Sequence, residues 1–335
     1  SFSFFPKEVN RLPTLTTIFL HFFISSTHCR TSRESKKIGF CKIFVITSQS
    51  HKAIENLLIA TANKISQKST MNIFKYGGEK LDENKIGYLK NKDELAIKIS
   101  EFEKSNTPII VGMTVFAICS WGRPFDLIVV DEAGQYSLSN SIAASLYAKQ
   151  GIFLGDQNQL PNVSQASHPY PVDTSVMDHS VGSYTVIPSE AGIFINETWR
   201  LHPKICDIIS HAYYDGRLTP SKNMPKRAVF NKLKIDMSGF NIIRLSHSGC
   251  SQRSFEEIKK IQEDYNNYLS DFIYYENGNQ RKLSINDILV VAPFNAQVKS
   301  LAASLPEGAR VGTVDKFQGQ EAPICMISMT SSSGN

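Results

Sequence analysis

Residues 127–135 read LIVVDEAGQ: four apolar residues, then two acids, a small residue, a glycine and an amide. The apolar run predicts a buried parallel strand, because the strands of a parallel sheet are covered on both faces. Asp131 and Glu132 follow it directly. They are therefore expected at the carboxyl edge of the sheet, where open α/β sheets bind ligands.

Strands and helices alternate on both sides of this stretch, which predicts an α/β fold of two parallel-sheet units. A chain of 335 residues is long enough for two domains at ~150 residues each. The predicted division is a segment of doubtful structure at 1–39, a first domain at 40–190 with a connecting stretch at 161–191, and a second domain at 191–335. The other predicted strands are 43–47, 108–113, 151–154, 192–196, 241–245, 287–292, 310–314 and 324–329, and the predicted helices lie within 50–65, 80–104, 140–148, 203–214 and 254–274.

The composition is that of an ordinary globular protein, with 41% apolar and 20% charged residues. It excludes a disordered tail, a collagen-like fibre and a small disulfide scaffold. The net charge of +5 permits a polyanionic partner. Six cysteines without a C-x-x-C pair indicate reduced thiols in an intracellular compartment. The apolar run at 18–24 is shorter than the ~20 residues of a membrane span, so no membrane association is expected.

Two adjacent carboxylates at a strand end suit phosphate chemistry. Mg²⁺ prefers hard oxygen ligands and keeps several waters, so Asp131 alone can hold it beside a substrate phosphate. Glu132 is then available to orient a water for in-line attack. The alternative is that Asp131 caps the next helix and Glu132 is solvated.

Four further segments carry polar residues after predicted strands or before a helix. In 153–161 (FLGDQNQLP), Gln159 can sense a terminal phosphate, although a plain β-turn is the simpler interpretation. In 196–203 (NETWRLHP), Arg200 can act as an arginine finger, a role worth ~10³–10⁵ in rate, or form a surface ion pair. The segments 290–298 (VVAPFNAQV) and 311–321 (VGTVDKFQGQE) are either ligand loops or a strand cap and a glycine turn.

In this order the segments resemble the motifs of superfamily 1 helicases, in the Upf-like branch that includes the nonsense-mediated-decay helicase and senataxin. They are similar to the signatures DEA[AG]Q, GDxxQLPP, [WY]RMHP and TxDxFQGxE, and SQSHKAIENLL at 48–58 is similar to motif Ia. The segments SHKAIENLL, DEAGQYSLSN and GDQNQLPNVSQASHP are most similar in sequence to the helicase half of proteins that fuse a RecB-like nuclease to a helicase. The resemblance covers roughly residues 40–332.

The resemblance implies tandem RecA-like P-loop NTPase domains with parallel sheets, ATP in the cleft between them and single-stranded DNA or RNA across their top. The implied activity is that of an ATP- and Mg²⁺-dependent helicase or translocase working as a monomer. The implied site residues are Asp131 for Mg²⁺, Glu132 for water activation, Gln159 and Arg200 for the γ-phosphate, Gln318, Gly319 and Glu321 for the nucleotide, and Ser48, His51, Thr114 and Thr313 for the nucleic-acid backbone.

Two departures from the family qualify this expectation. No G-x-x-x-x-G-K-[ST] segment precedes motif Ia, and the sequence stops at SSSGN, before the family's closing arginine motif. The resemblance therefore predicts a chain truncated at both ends, with both domains incomplete, that hydrolyses ATP more slowly than ~1 per second. The alternatives are a catalytically inactive nucleic-acid-binding protein with the same fold and an unrelated nucleotide-binding α/β protein.

Overall fold

A computed structural model describes most of the chain after residue 42: residues 43–65, 72–81, 83, 85–160, 168–172, 174–222, 226–317 and 319–332. The segment 1–39 and the predicted nucleotide-binding residue Gln318 lie outside the described residues. The chain divides into two compact units, Ser1–Ile195 and Asn196–Asn335.

The first unit is built on a six-stranded sheet with the order β3-β2-β4-β1-β5-β6, and every strand pair in it is parallel. Its strands are β1 Ile43–Thr47, β2 Asn72–Tyr76, β3 Gly87–Leu89, β4 Ile109–Gly112, β5 Phe125–Val130 and β6 Ala148–Phe153. Its helices are α1 His51–Lys64, α2 Lys92–Ser105, α3 Val115–Trp121, α4 Leu138–Ser145 and α5 Val176–Val181. The predicted α/β class with parallel strands is thus confirmed, and a sheet of this kind fits a RecA-like domain.

Two hydrophobic layers cover the faces of this sheet. Successive strand residues point to opposite faces, so Val45 belongs to one layer while its neighbours Phe44 and Ile46 belong to the other. Among the described helices, α1 covers the Phe44 face, and α2 to α5 cover the other. Helix α1 begins where predicted, because the side chain of Ser50 accepts a hydrogen bond from the Ala53 N–H at 3.2 Å.

Part of the predicted connection at 161–191 belongs instead to the core of the first unit. Residues 161–167 lie outside the described residues, but helix α5 follows, and its Val176, Met177 and Val181 are buried in the layer that contains Val45. Ser175 caps α5 and forms an isolated bridge with Ser137. The connection was predicted from the Ser, Pro and His content, which does not reveal this long-range pairing.

The second unit contains a parallel sheet of order β13-β12-β14, an antiparallel sheet of order β11-β10-β9 and the short parallel pair β7-β8. The strands are β7 Glu197–Thr198, β8 Thr219–Pro220, β9 Arg227–Phe230, β10 Ile273–Glu276, β11 Asn279–Lys282, β12 Ile288–Val291, β13 Arg310–Gly312 and β14 Ile324–Ile327. The helices are α6 Pro203–Tyr213, α7 Phe255–Asp271 and α8 Asn295–Ser304. Helices α7 and α8 pack on the parallel sheet through Ile258, Ile261 and Leu301.

Two predicted strands are not formed, one at the boundary between the two units and one within the second unit. Residues 192–196 and 241–245 are both irregular in the structure. Both runs are apolar, and Ile242 and Ile243 are nevertheless exposed. A strand exists only where another strand supplies a ladder of hydrogen bonds. Neither run belongs to a sheet of the described residues, and 192–196 meets β8 only at its last residue, where the Thr219 N–H donates to the Asn196 carbonyl at 2.7 Å.

Two further predictions concern membrane-spanning helices and the state of the cysteines. None of the described helices combines the length and the apolar character that crossing a membrane requires. In the described part of the chain, Cys119, Cys206, Cys250 and Cys325 carry free thiols.

Candidate functional site

The acidic segment at 131–135 is held at the carboxyl edge of the first sheet by three hydrogen bonds. The Asp131 N–H donates to the Thr47 carbonyl at 2.9 Å, and the Ser48 hydroxyl donates to the Asp131 carbonyl at 3.0 Å. The Ala133 N–H donates to the Leu154 carbonyl at 2.8 Å. The two acids are therefore anchored to the ends of β1 and β6, which flank β5 in the sheet.

Glu132 has a strained backbone. Its φ is 55°, in the left-handed region that residues other than glycine seldom adopt. The turn is closed by the Gln135 N–H, which donates to the Glu132 carbonyl at 2.9 Å. Such conformations cost roughly 1–3 kcal/mol and concentrate at functional sites, where surrounding structure holds a side chain in a required direction.

The environment of Asp131 suits a bound cation. Burial, and then the charge of Glu132, raise the pKa of the Asp131 carboxyl to about 6, against the effect of a backbone hydrogen bond from Glu132. A divalent cation would supply the compensating charge. Among the described residues no group of three or more His, Cys, Asp or Glu side chains could hold a metal alone. The donor set fits Mg²⁺, which binds through one or two carboxylates together with substrate phosphate.

The described part of the second motif, residues 153–160, packs backbone to backbone against the acidic segment at Gly155 and Asp156. A Cβ atom on Gly134 would lie 2.3 Å from the Asp156 carbonyl oxygen, and one on Gly155 would lie 2.7 Å from the amide nitrogens of Ala133 and Gly134. Only glycine permits this approach from both sides. Sequence reasoning did not assign a role to either glycine, although both stand inside the quoted motifs.

Gln159 lies on this second segment. Its side chain is exposed, and its Nε2 donates to the Asp156 carboxylate at 3.4 Å. The glycine contact thus brings the segment that carries Gln159 to the segment that carries Asp131 and Glu132. The contact of Gln159 with a γ-phosphate stays a prediction.

Gln135 is a candidate that sequence reasoning left without a role. Its Nε2 is buried and finds no hydrogen-bond acceptor among the described residues. A buried donor of this kind requires a partner such as water or a ligand oxygen. The signal was available in the sequence, because Gln135 is the last residue of the DEAGQ motif.

The predicted nucleic-acid residues of the first unit differ in exposure. Ser48 is only 3% exposed and its hydroxyl is engaged with the Asp131 carbonyl, so in the structure it positions the acidic segment. His51 is exposed at the start of α1, and the half-buried Thr114 caps α3 by accepting a hydrogen bond from the Ala117 N–H at 3.4 Å. Their contacts with nucleic acid stay predictions.

In the second unit two predicted site residues form an ion pair. Arg200 Nε lies 3.0 Å from Glu321 Oε2, although the residues are 121 positions apart. The surface ion pair considered from the sequence is therefore present, and its partner is the predicted nucleotide residue. The side chains are 57% and 61% exposed, and such pairs contribute about 0–1 kcal/mol, so Arg200 can leave Glu321 for a phosphate at little cost.

The remaining predicted residues follow β13. Thr313 is half-buried directly after the strand, and Gly319 is exposed with a φ of 72°. Between them the buried Phe317 packs with Leu289 and Val291 of β12 and so anchors the stretch.

Within the segment 290–298, Gln297 has a structural role, whereas Pro293 and Asn295 are exposed. Gln297 is fully buried, and its Oε1 accepts a hydrogen bond from the Ser254 N–H at 3.0 Å. Its Nε2 donates to Ser328 Oγ at 3.0 Å. Ser328 Oγ in turn donates to the buried Glu257 carboxylate, so Gln297 joins α7, α8 and the end of β14.

A glycine-to-alanine substitution tests the backbone contact. Gly134→Ala is expected to lower the free energy of unfolding of the first unit by about 1–3 kcal/mol, because the methyl group meets a backbone carbonyl that cannot move aside. Hydrogen exchange of the amides in 125–155 measures the opening free energy locally. The control is Gly151→Ala, whose nearest neighbour at 3.2 Å is the movable Phe153 ring. Equal protection in the two variants would contradict the packing argument.

The similar proteins named below are all described as helicases. A family model described as an AAA domain matches residues 172–335. The chain is 27% identical over 265 residues to the DNA polymerase alpha-associated DNA helicase A of Schizosaccharomyces pombe, covering 72% of this chain and 39% of that protein. It is 23% identical over 328 residues to the DNA replication ATP-dependent helicase/nuclease DNA2 of Gallus gallus (93% and 30%). It is 23% identical over 284 residues to the probable helicase senataxin of Homo sapiens (74% and 10%).

Among solved structures, an arterivirus nonstructural protein 10 (helicase) complex with DNA matches with a TM-score of 0.40 and 11% identity, over 96% of this chain and 60% of that chain. The chain spans less than half the length of the curated relatives named above.

Proposed function

We propose that this chain is the motor part of an ATP-dependent nucleic-acid helicase or translocase of the Upf-like branch of superfamily 1. The observation that carries the proposal is the close packing of the acidic segment against residues 153–160 at the carboxyl edge of one parallel sheet. That contact joins the segment that carries Gln159 to the segment that carries Asp131 and Glu132, which supports a phosphate site at this edge of the sheet.

Each predicted residue has a defined task in this proposal. Asp131 holds Mg²⁺, which when bound neutralises charge on the phosphates. Glu132 orients the attacking water and accepts its proton. Gln159 donates a hydrogen bond to the γ-phosphate, and Arg200 exchanges its exposed bond to Glu321 for one to phosphate. Gln318, Gly319 and Glu321 complete the nucleotide site in the proposal.

The proposed track is single-stranded DNA or RNA. His51, Thr114 and Thr313 contact its backbone, while Ser48 couples this edge to the acidic segment through the Asp131 carbonyl. Contacts with phosphate make binding salt-dependent and largely indifferent to sequence. A monomeric state and an intracellular location are part of the same proposal.

Binding to single strands provides the first test. Fluorescence anisotropy with labelled oligonucleotides is expected to show affinity that falls by roughly tenfold or more between ~50 and ~200 mM salt, if about three phosphates are neutralised. His51→Ala is expected to weaken binding, whereas Lys98→Ala, which removes an exposed cation paired with Glu101 on α2, is not. An affinity that does not change with salt concentration, or no binding at all, would refute single-stranded nucleic acid as the track.

The test of ATP hydrolysis uses two forms of the protein. Because the sequence contains no G-x-x-x-x-G-K-[ST] segment, the 335-residue chain is expected to turn over ATP below ~1 per second. In the second form, here called the loop-extended form, a strand and helix joined by a G-x-x-x-x-G-K-[ST] segment are placed ahead of Ile43. This form is expected to release phosphate when a single strand is present. A folded loop-extended form that binds nucleic acid without hydrolysing ATP would instead support the catalytically inactive alternative.

A further inference from the structure

Helix α3 presents one large aromatic ring to solvent. Phe116 is 79% exposed, while Val115 beside it and Ile118 one half-turn on are buried in the core of the first unit. These two anchors fix the rotation of the helix about its axis. The Phe116 ring therefore cannot turn inward unless α3 leaves the sheet.

The position of this ring matters more than its exposure, because single exposed apolar residues are common. Phe116 follows Thr114 at the carboxyl end of β4, the strand next to β1. The Met113 N–H donates to the Ile46 carbonyl at 2.9 Å, which ties the two strand ends together. The neighbouring strand leads into α1, whose first turn exposes His51 and the cationic Lys52.

We propose that Phe116 is a base-stacking residue for the single strand, an inference that rests on the proposed function. The proposed backbone contacts of His51 and Thr114 would leave the bases of the strand without a protein contact. An outward aromatic ring on the next strand end offers one base a stacking surface. Every base has a π-face, so this contact adds affinity without demanding a sequence.

The test compares binding of a normal single strand with binding of an abasic strand, which has the backbone but no bases. Phe116→Ala is expected to weaken binding of a normal single strand by the 335-residue chain roughly 5- to 150-fold, and Phe116→Tyr to preserve it. On an abasic strand of equal length, wild type and Phe116→Ala should bind alike. The matched control is Leu146→Ala. Leu146 is 76% exposed, but it lies just before the first residue of β6, at the amino edge of the sheet, whereas Phe116 lies at the carboxyl edge.

A second variant makes stacking visible. The emission of Phe116→Trp should be quenched by a normal strand, beyond the change seen in wild type, and not by the abasic strand. If wild type binds no single strand, the proposed function fails and this inference fails with it. If wild type binds but Phe116→Ala loses nothing, or loses equally on both strands, only the stacking role is overturned.

Discussion

Arg200→Ala is expected to lower nucleic-acid-stimulated ATP hydrolysis by the loop-extended form by about 10³–10⁵-fold. The guanidinium places a fixed charge and a two-pronged donor against the phosphate oxygens as charge develops on them. In the structure the guanidinium donates to Glu321 in an exposed ion pair, while the Arg200 backbone N–H donates to Thr198 Oγ1 at 3.3 Å. Single-turnover phosphate release at saturating ATP measures the loss.

Two further variants define what the arginine contributes. Arg200→Lys keeps the charge but loses the planar fork, so it should remain strongly deficient. Arg253→Ala removes another exposed arginine of the second unit, one that lies 5.9 Å from the Phe255 ring, and should leave the rate unchanged. A rate for Arg200→Ala within tenfold of wild type would show that Arg200 serves only as the surface partner of Glu321.

Glu132→Gln is the other substitution with a large expected effect, a decrease of about 10²–10⁴-fold in the hydrolysis rate of the loop-extended form. The amide has the size of the carboxylate but cannot accept the proton of the attacking water. The unusual backbone at Glu132, with its φ of 55°, is unaffected by a change at the end of the side chain. Binding of the single strand should be retained, which separates a chemical defect from misfolding.

The neighbouring acid and a distant one serve as comparisons for this result. Asp131→Asn should raise the Mg²⁺ concentration needed for half-maximal rate, since Asp131 is the proposed ligand. Glu101→Gln, an exposed acid of α2 paired with Lys98, should change neither rate nor metal dependence. Hydrolysis by Glu132→Gln at the wild-type rate would assign the proton transfer to another group.

The elements that were predicted correctly are those whose signal is local. The apolar runs of β1 and β4 are covered on both faces, so their sequences alone identify them as buried strands. Helix α1 combines a capping serine, Ser50, with apolar residues at helical spacing. The predictions at 192–196 and 241–245 failed because strand character depends on a partner elsewhere in the chain.

The same distinction applies to the candidate site. Asp131 and Glu132 were identifiable because they follow an apolar strand directly, and a strand's end defines a sheet edge. The roles of Gly134 and Gly155 were not, because each glycine is explained by the backbone atoms of the other segment. Likewise Ser48 lies in a predicted nucleic-acid segment, yet its hydroxyl is engaged by a carbonyl 83 residues away.

The sequence by itself determined the class of fold, the order of the motifs and the acids at the tip of β5, because periodicity and neighbouring residues encode them within short windows. The tertiary structure alone decided which backbones touch at Gly134, that Arg200 pairs with Glu321, and that Phe116 points outward. These features depend on atoms brought together by folding from distant positions, and no local pattern specifies such distances.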